Sequence, residues 1–549
     1  MLNDPDAVRV AAALRDCFAT IARCEQDLHA ARRQKCMGNA DEVGDLVNAL
    51  KTDCAKIDDQ LEEATDIDAI LSDAPTMTVD VLLSTLGELP TPASAYPTNP
   101  DEIPKWISSF IVKAQLLDGW LEPANNTDMT LSKEQAEFRD IFDTNGYLQL
   151  TDGALLIRRR ITRWQGDDDE VETFGLFARY LREVTYIPAL LDCDDPDILK
   201  YTGNPISSGF YLWNSDTILS NPLPTDPKIA VAPLAERGSD VAFVPSACRS
   251  KYALNLNYDE SRFAAALARA LNENVNILLI PEMALPEGDP SDFADRMRKL
   301  FLEVRATHYN QSGEVGQLCF VIAGVLGGAG PDGHHRNYAV AFDAYGEQPE
   351  GFQQLKLSHW NITRSEQDRF GITHYQAKNG DLADPIVENS LPAECLSILE
   401  IPGVGRTATL ICADMSQNNP GDWLSLNAVL DWIYAPIMDK STCWEISDQQ
   451  NTPRPWIVNR SYRAALLTRT VVITTNSMSL SRWVNEANKL SKSTWPQYSE
   501  VGIGLAINGR VDVPTQCHVS TPIDETNVLM AFAPMNQWPP FPLPPNNQK

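Results

Sequence analysis

The chain has 549 residues, 43% of them apolar, and a formal net charge of −29. That length predicts two or three domains with sizeable cores. So acidic a surface repels nucleic-acid phosphates and anionic membranes wherever no basic patch intervenes. Eleven widely spread Cys without a Cys-x-x-Cys pair read as reduced thiols of a cytoplasmic protein rather than a disulfide framework. The opening Met1-Leu2-Asn3-Asp4-Pro5-Asp6 lacks a leader pattern, and no apolar stretch reaches membrane-spanning length.

In chain order, residues 5–33 predict a helix, with Leu14, Ile21 and Leu28 recurring at seven and Phe18 and Cys24 beside them. Gly38-Asn39 breaks it, and Val43, Leu46, Val47, Leu50, Cys54, Ile57 and Leu61 carry the pattern through 41–63. Residues 1–90 therefore read as a helical hairpin region, with another helix within 78–89; its apolar stripe is either core or a docking seam for a protein partner. Pro90, Pro92, Pro97 and Pro100 mark an extended linker. Residues 91–227 read as a second helical region, with helices at 103–121, 132–143, 153–164 and 173–190 and a connector over 192–227. Ser132 and Gln135 fit a capping box. Arg158-Arg159-Arg160, Arg163 and Trp164 adjoin the acidic run Asp167-Asp168-Asp169-Glu170. That pairing favours a solvated helix face over a nucleic-acid contact.

From residue 228 short apolar runs alternate with helical stretches at 259–273 and 291–306, the pattern of α/β layering. The runs are Lys228–Leu234, Asn274–Pro281, Phe320–Val325, Asn337–Phe342, Ala408–Ile411, Trp432–Pro436, Val471–Asn476 and Gly502–Gly509. The segment 241–258 is long for a βα loop and reads as a lid or rim. Residues 536–549 form a Pro-rich tail. One run ends in Pro281-Glu282, Lys356 follows, and another ends in Cys412-Ala413-Asp414. In that order, and together with the surrounding runs, these residues resemble the nitrilase, or carbon–nitrogen hydrolase, superfamily over about residues 228–535.

The resemblance implies a nitrilase-like α-β-β-α sandwich, here preceded by an all-α N-terminal region, and a triad of Glu282, Lys356 and Cys412. Cys412 would be the nucleophile, Glu282 the general base, and Lys356 with the backbone N–H of Ala413 the oxyanion site. Glu366 matches the family's second Glu, at a longer spacing from Lys356 than usual, and His359 sits one residue later than the family's Lys-x-His pattern. Ala413 replaces the family's aromatic after the nucleophile, while Asp414 keeps the acid. Asp439, Ser441 and Thr442 fall where the family lines its substrate pocket, with Cys443 as the rival thiol. The implied substrate is a small amide or nitrile, in a homo-oligomer that needs no cofactor. The adjacent His334-His335 lack metal-ligand spacing, and no phosphate-binding Gly-rich loop is present, which argues against a glutamine-dependent synthetase. Two other readings use the same residues. One is an inactive sensor or binding module working with a helical docking domain, as in bacterial defence systems. The other is an acyltransferase that passes the thioester to an amine.

Overall fold

Helix α1 (Pro5–Cys36) begins where Asp4 caps it, its carboxylate accepting the Asp6 N–H at 2.9 Å, and it places Arg33 and Lys35 in its last turn. Its stripe of Val10, Leu14, Phe18, Ile21 and Leu28 is buried. Three helices follow: α2 (Glu42–Glu62), α3 (Ile67–Asp73) and α4 (Val79–Glu88). Beyond the Pro-rich linker, α5 (Ile103–Leu121) packs against both α1 and α2, so the two sides of the linker share one core. Helix α6 (Lys133–Asn145) starts on the reciprocal cap read from the sequence. Ser132 N–H donates to Gln135 Oε1 at 2.9 Å, and Gln135 N–H to Ser132 Oγ at 3.2 Å.

The computed structural model describes most of residues 2–540. The longest stretches outside the description are 122–130, 159–174, 188–208, 215–223, 371–384, 417–429, 440–454 and 541–549. The basic and acidic runs between Arg159 and Glu170 lie outside it, as do Ser441, Thr442 and Cys443.

Two expected helices are corrected. The stretches read as helical at 153–164 and 173–190 contribute strands to a three-stranded antiparallel sheet. It comprises β1 (Tyr147–Gln149), β2 (Leu155–Arg158) and, after the short α7 (Leu176–Tyr180), β3 (Val184–Ile187). A short apolar run such as Leu155-Leu156-Ile157 suits either state; pairing with Tyr147-Leu148 on one side and Thr185-Tyr186 on the other decides it. The N-terminal region is thus helical with one small sheet.

The rest of the chain forms two large sheets and a small one. In order it runs β4 (Gly209–Asn214), β5 (Ile229–Val231), β6 (Val241–Pro245), β7 (Lys251–Leu256), α8 (Ser261–Asn272), β8 (Ile277–Pro286), α9 (Phe293–Ser312), β9 (Phe320–Leu326), β10 (Asn337–Asp343) and β11 (Phe352–Leu355). Then come β12 (Asn361–Ile362), α10 (Arg364–Phe370), β13 (Ile386–Glu388), β14 (Cys395–Ile401), β15 (Gly405–Thr409), β16 (Trp432–Ile437) and α11 (Trp456–Thr468). The chain closes with β17 (Val471–Asn476), α12 (Ser479–Ser491), β18 (Glu500–Asn508), β19 (Thr515–Pro522) and β20 (Met530–Ala531). One sheet has the order β11-β10-β9-β8-β5-β20, and the other β19-β18-β17-β16-β15-β14-β4. Strands β6 and β7, from the segment read as a lid or rim, join β13 and β12 in a four-stranded sheet.

Side chains alternate across these strands and sort into layers. Ile277 and Leu279 of β8 face Trp432, Tyr434, Val471 and Ile473 of the other sheet, whereas Leu278 and Ile280 meet Phe263, Leu267, Met297 and Phe301 of α8 and α9. On the far side, Ile433, Ala435 and Val472 pack with Ile457, Tyr462 and Ala465 of α11, in a core continuous with the N-terminal helices. The fold is therefore the α-β-β-α sandwich, with the helical region set against α11. The stretch read as a connector also differs from expectation: β4 pairs with β14 in parallel and edges the seven-stranded sheet. At the other end, Trp538 of the Pro-rich tail is buried between the sheets, its Nε1–H donating to Ala533 O at 2.7 Å. No described helix is long and apolar enough to cross a membrane.

Candidate active site

Glu282 lies within β8 and Cys412 just after β15, so each large sheet supplies one of the expected residues. On β8 the pairing with β9 shifts register between Ile280 and Leu285, which lifts Pro281 and Glu282 out of the regular ladder. The opposing β9 residue must be Gly324, because a Cβ there would run into the Pro281 carbonyl oxygen and Glu282 Cα. Met283 next to the bulge has φ of 49°. Cys412 has φ of 46° and starts a single tight turn, Cys412–Ser416. Left-handed backbone at a non-Gly residue stores strain that the surroundings must hold. The two large sheets are tied beside the site by Tyr434, whose hydroxyl donates to Ile280 O at 2.9 Å and meets Thr475 Oγ1 at 2.9 Å.

Lys356 follows β11, its backbone N–H donating to Asn337 O at 2.9 Å. Its ammonium is buried and reaches two carboxylates, Glu282 Oε1 at 2.7 Å and Glu388 Oε2 at 2.8 Å. Asn337 Nδ2 donates to the same pair, at 2.8 Å to Glu282 Oε1 and 2.8 Å to Glu388 Oε1. The remaining oxygen, Glu282 Oε2, takes the Met438 N–H at 3.0 Å, and Glu388 Oε2 accepts the Trp360 N–H at 3.0 Å beside Lys356. His335 Nε2 lies 3.6 Å from Glu388 Oε1. Every oxygen of both buried carboxylates is thus aimed at a donor.

The electrostatics follow from burial and these partners. Burial works against the Lys356 charge, yet Glu282, Glu388 and Cys412 overcome it and hold the ammonium well above its ordinary range. Burial likewise works against the Glu388 charge, and Lys356 and His335 outweigh it, leaving the carboxylate well below its usual range. Burial pushes the Cys412 thiol well up; the charges of Glu282 and Asp439 add to that, against the pull of Lys356 and the Met438 N–H. The resting thiol is therefore protonated, within the electrostatic reach of Glu282. Burial moves His359 down to about 4, so its ring is neutral at pH 7 and meets Ser390 Oγ at 3.2 Å.

Glu282, Lys356 and Cys412 come together; Glu366 does not join them. Glu366 lies on α10, where its Oε2 accepts the Thr363 N–H and hydroxyl at 3.1 Å each and caps the helix. The second carboxylate on Lys356 is instead Glu388, at the end of the apolar run Ile386-Val387. The same signature, apolar residues closing on a Glu, marks Glu282, and it was available in the sequence at Glu388. Ala413 occupies the turn beside the thiol, half-buried. Asp439 follows β16. Its carboxylate accepts the Trp456 Nε1–H at 2.7 Å, and its backbone is held by Asn476. Among the described residues no His, Cys, Asp and Glu cluster has metal-binding geometry.

Among solved structures the chain is similar to an amidase from Nesterenkonia sp., 14% identical, covering 58% of this chain and 94% of that one with a TM-score of 0.30. It is also similar to Nit3 of Saccharomyces cerevisiae, a member of branch 10 of the nitrilase superfamily, 12% identical, covering 57% and 92% with a TM-score of 0.30. No protein-family model matches the chain, and no curated protein matches it.

Proposed function

We propose that the chain is a thiol-dependent hydrolase of a non-peptide carbon–nitrogen bond, with a small amide as substrate. The observation that carries this reading is a buried thiol on a strained turn beside a carboxylate that shares one ammonium with a second carboxylate. An amide carbon is a poor electrophile, and a resting thiol with a raised pKa is a poor nucleophile. Both difficulties are met by one proton transfer. Glu282 takes the Cys412 proton as sulfur bonds to the carbonyl carbon, and the carbonyl electron pair moves onto oxygen. Lys356 and the Ala413 N–H stabilise that oxyanion. The tetrahedral species collapses, the C–N bond breaks, and Glu282 returns the proton to the leaving amine. Water then gives a proton to Glu282 and attacks the thioester, releasing the acid and restoring the thiol. Glu388 keeps Lys356 charged and fixed throughout, which is the part expected of Glu366.

The test is ammonia release from a panel of short aliphatic amides, starting with propionamide. Cys412→Ala and Glu282→Gln are expected to lower the rate by at least ~10²-fold. Turnover that survives Cys412→Ala would sink the reading.

A further inference from the structure

Asp414 lies two residues after the thiol and is fully buried. Its carboxylate makes no side-chain hydrogen bond among those described; it takes backbone N–H groups from two separate segments. Oδ1 accepts Ser358 N–H at 2.7 Å and Leu357 N–H at 3.1 Å, while Oδ2 accepts Ile411 N–H at 3.0 Å and Leu357 N–H at 3.2 Å. Ile411 immediately precedes Cys412, and Leu357 and Ser358 immediately follow Lys356. One carboxylate therefore joins the turn that carries the thiol to the loop that carries the ammonium. The two segments lie 57 residues apart in sequence. No β-ladder links β11 to β15, since the two strands belong to different sheets.

The turn needs such a tie. Cys412 is held at positive φ, and a strained residue relaxes unless its flanks are fixed. Lys356 has a long flexible stem, whose ammonium is placed by Glu282 and Glu388 but whose backbone on the C-terminal side is placed by Asp414. We propose that Asp414 is a positioning residue that sets the separation of Cys412 and Lys356 by clasping their backbones together. It rests on the hydrolase reading for its kinetic consequence and touches no reacting atom. Lys356 is the charged group that faces it, and its other partners are the three backbone N–H groups. Burial pushes the Asp414 carboxyl up to about 7 against the pull of Lys356 and those donors, so the clasp changes protonation state within the range where a thiol is usefully assayed.

The experiment follows Cys412 alkylation by iodoacetamide across pH 5–9, by mass spectrometry of the full chain, in wild type, Asp414→Asn and Glu282→Gln. In the Asn variant an NH₂ group must face a backbone donor, so the clasp is broken at nearly constant volume. The expected result is a change of roughly tenfold or more in the Cys412 rate, with the step near pH 7 lost, while Cys17, Cys24 and Cys54 stay as unreactive as in wild type. A Cys412 profile identical to wild type in Asp414→Asn overturns the proposal if Glu282→Gln does alter it. If Glu282→Gln leaves the profile unchanged, the hydrolase reading fails instead. Should the Asn variant not fold, hydrogen exchange of wild-type peptides spanning 355–360 and 409–416 decides. Protected Leu357, Ser358 and Ile411 amides support the clasp, and rapid exchange at all three overturns it.

Discussion

The helical region and the sandwich both bury charges and thiols, and they treat them differently. Between α1 and α2, Arg32 meets Asp53 through two parallel bonds, Nε to Oδ2 at 2.6 Å and Nη2 to Oδ1 at 2.9 Å, one buried guanidinium to one buried carboxylate, while the exposed Asp101 and Lys56 add a further partner to each. Cys17, Cys24 and Cys54 sit in the same core, pushed up to about 12, with burial the largest cause of each shift. In the sandwich one ammonium serves two carboxylates, and the thiol beside them is strained as well as buried. A core balances its buried charges one to one because an unmatched charge is costly. At Lys356 two buried carboxylates share one cation, the arrangement that the proposed proton transfer would use. Burial is the largest cause of the raised thiol in both places, and carboxylates stand near Cys24 and Cys54 as well as Cys412; what distinguishes Cys412 is its left-handed backbone beside a buried Lys356 shared by two carboxylates.

The largest expected effect breaks this contrast directly. Lys356→Met leaves Glu282 and Glu388 facing each other without a cation, and should abolish turnover and cost about 3–5 kcal/mol in urea unfolding. Adding Glu388→Gln should restore much of that stability and none of the activity. The matched change in the helical region, Arg32→Met with Asp53→Leu, should be neutral or stabilising and leave turnover intact. If both pairs behave alike, the distinction between structural and catalytic charge is wrong.

Gly324→Ala comes next. The Cβ meets backbone of β8 rather than a yielding side chain, so the bulge that presents Glu282 must shift, at about 1–3 kcal/mol and with a loss of activity out of proportion to the loss of stability. Unfolding free energy and propionamide turnover, measured on one preparation, check this.

The pH dependence is smaller and has opposite signs at two carboxyls. Glu388 is held below its ordinary value, so the stability it contributes is present above pH 4.5 and is lost as pH falls through its folded pKa. Asp414 is raised from 3.8 to about 7, so its contribution is full below 3.8 and is lost as pH rises through about 7. Asp414→Asn should therefore flatten the stability curve between those two values, as read by urea unfolding at several pH values. The smallest effect is Tyr434→Phe, which leaves the Ile280 carbonyl without its donor and should cost about 1 kcal/mol.

What the sequence made legible was local. An apolar run closing on a polar turn marks a strand end, and that signature placed Cys412 just after β15; Glu282, read the same way, lies instead at a break within β8, which runs on to Pro286. Amphipathic spacing located α1, α2 and α5 because each helix buries one stripe. What it hid depended on pairing across distance. Leu155-Leu156-Ile157 is a strand because β1 and β3 flank it. Residues 209–214 read as connector because the order of the seven-stranded sheet, which places them beside β14, is not written in their own composition. Glu366 fits the family's second Glu by its place after Lys356, whereas the ion pair that forms, Lys356 with Glu388, spans 32 residues. The Asp414 clasp uses backbone donors, which have no sequence signature at all.

The core that runs from α1 through α11 to the outer face of β16 and β17 has a consequence for how the molecule comes apart. A chain cut at residue 228 would lose β4 and bare the backbone edge of β14, and it would strip the cover from α11. Unpaired edges and uncovered apolar faces invite chains to stick to one another. The two halves are therefore expected to come apart together in heat and in denaturant, and residues 228–549 produced alone are expected to aggregate.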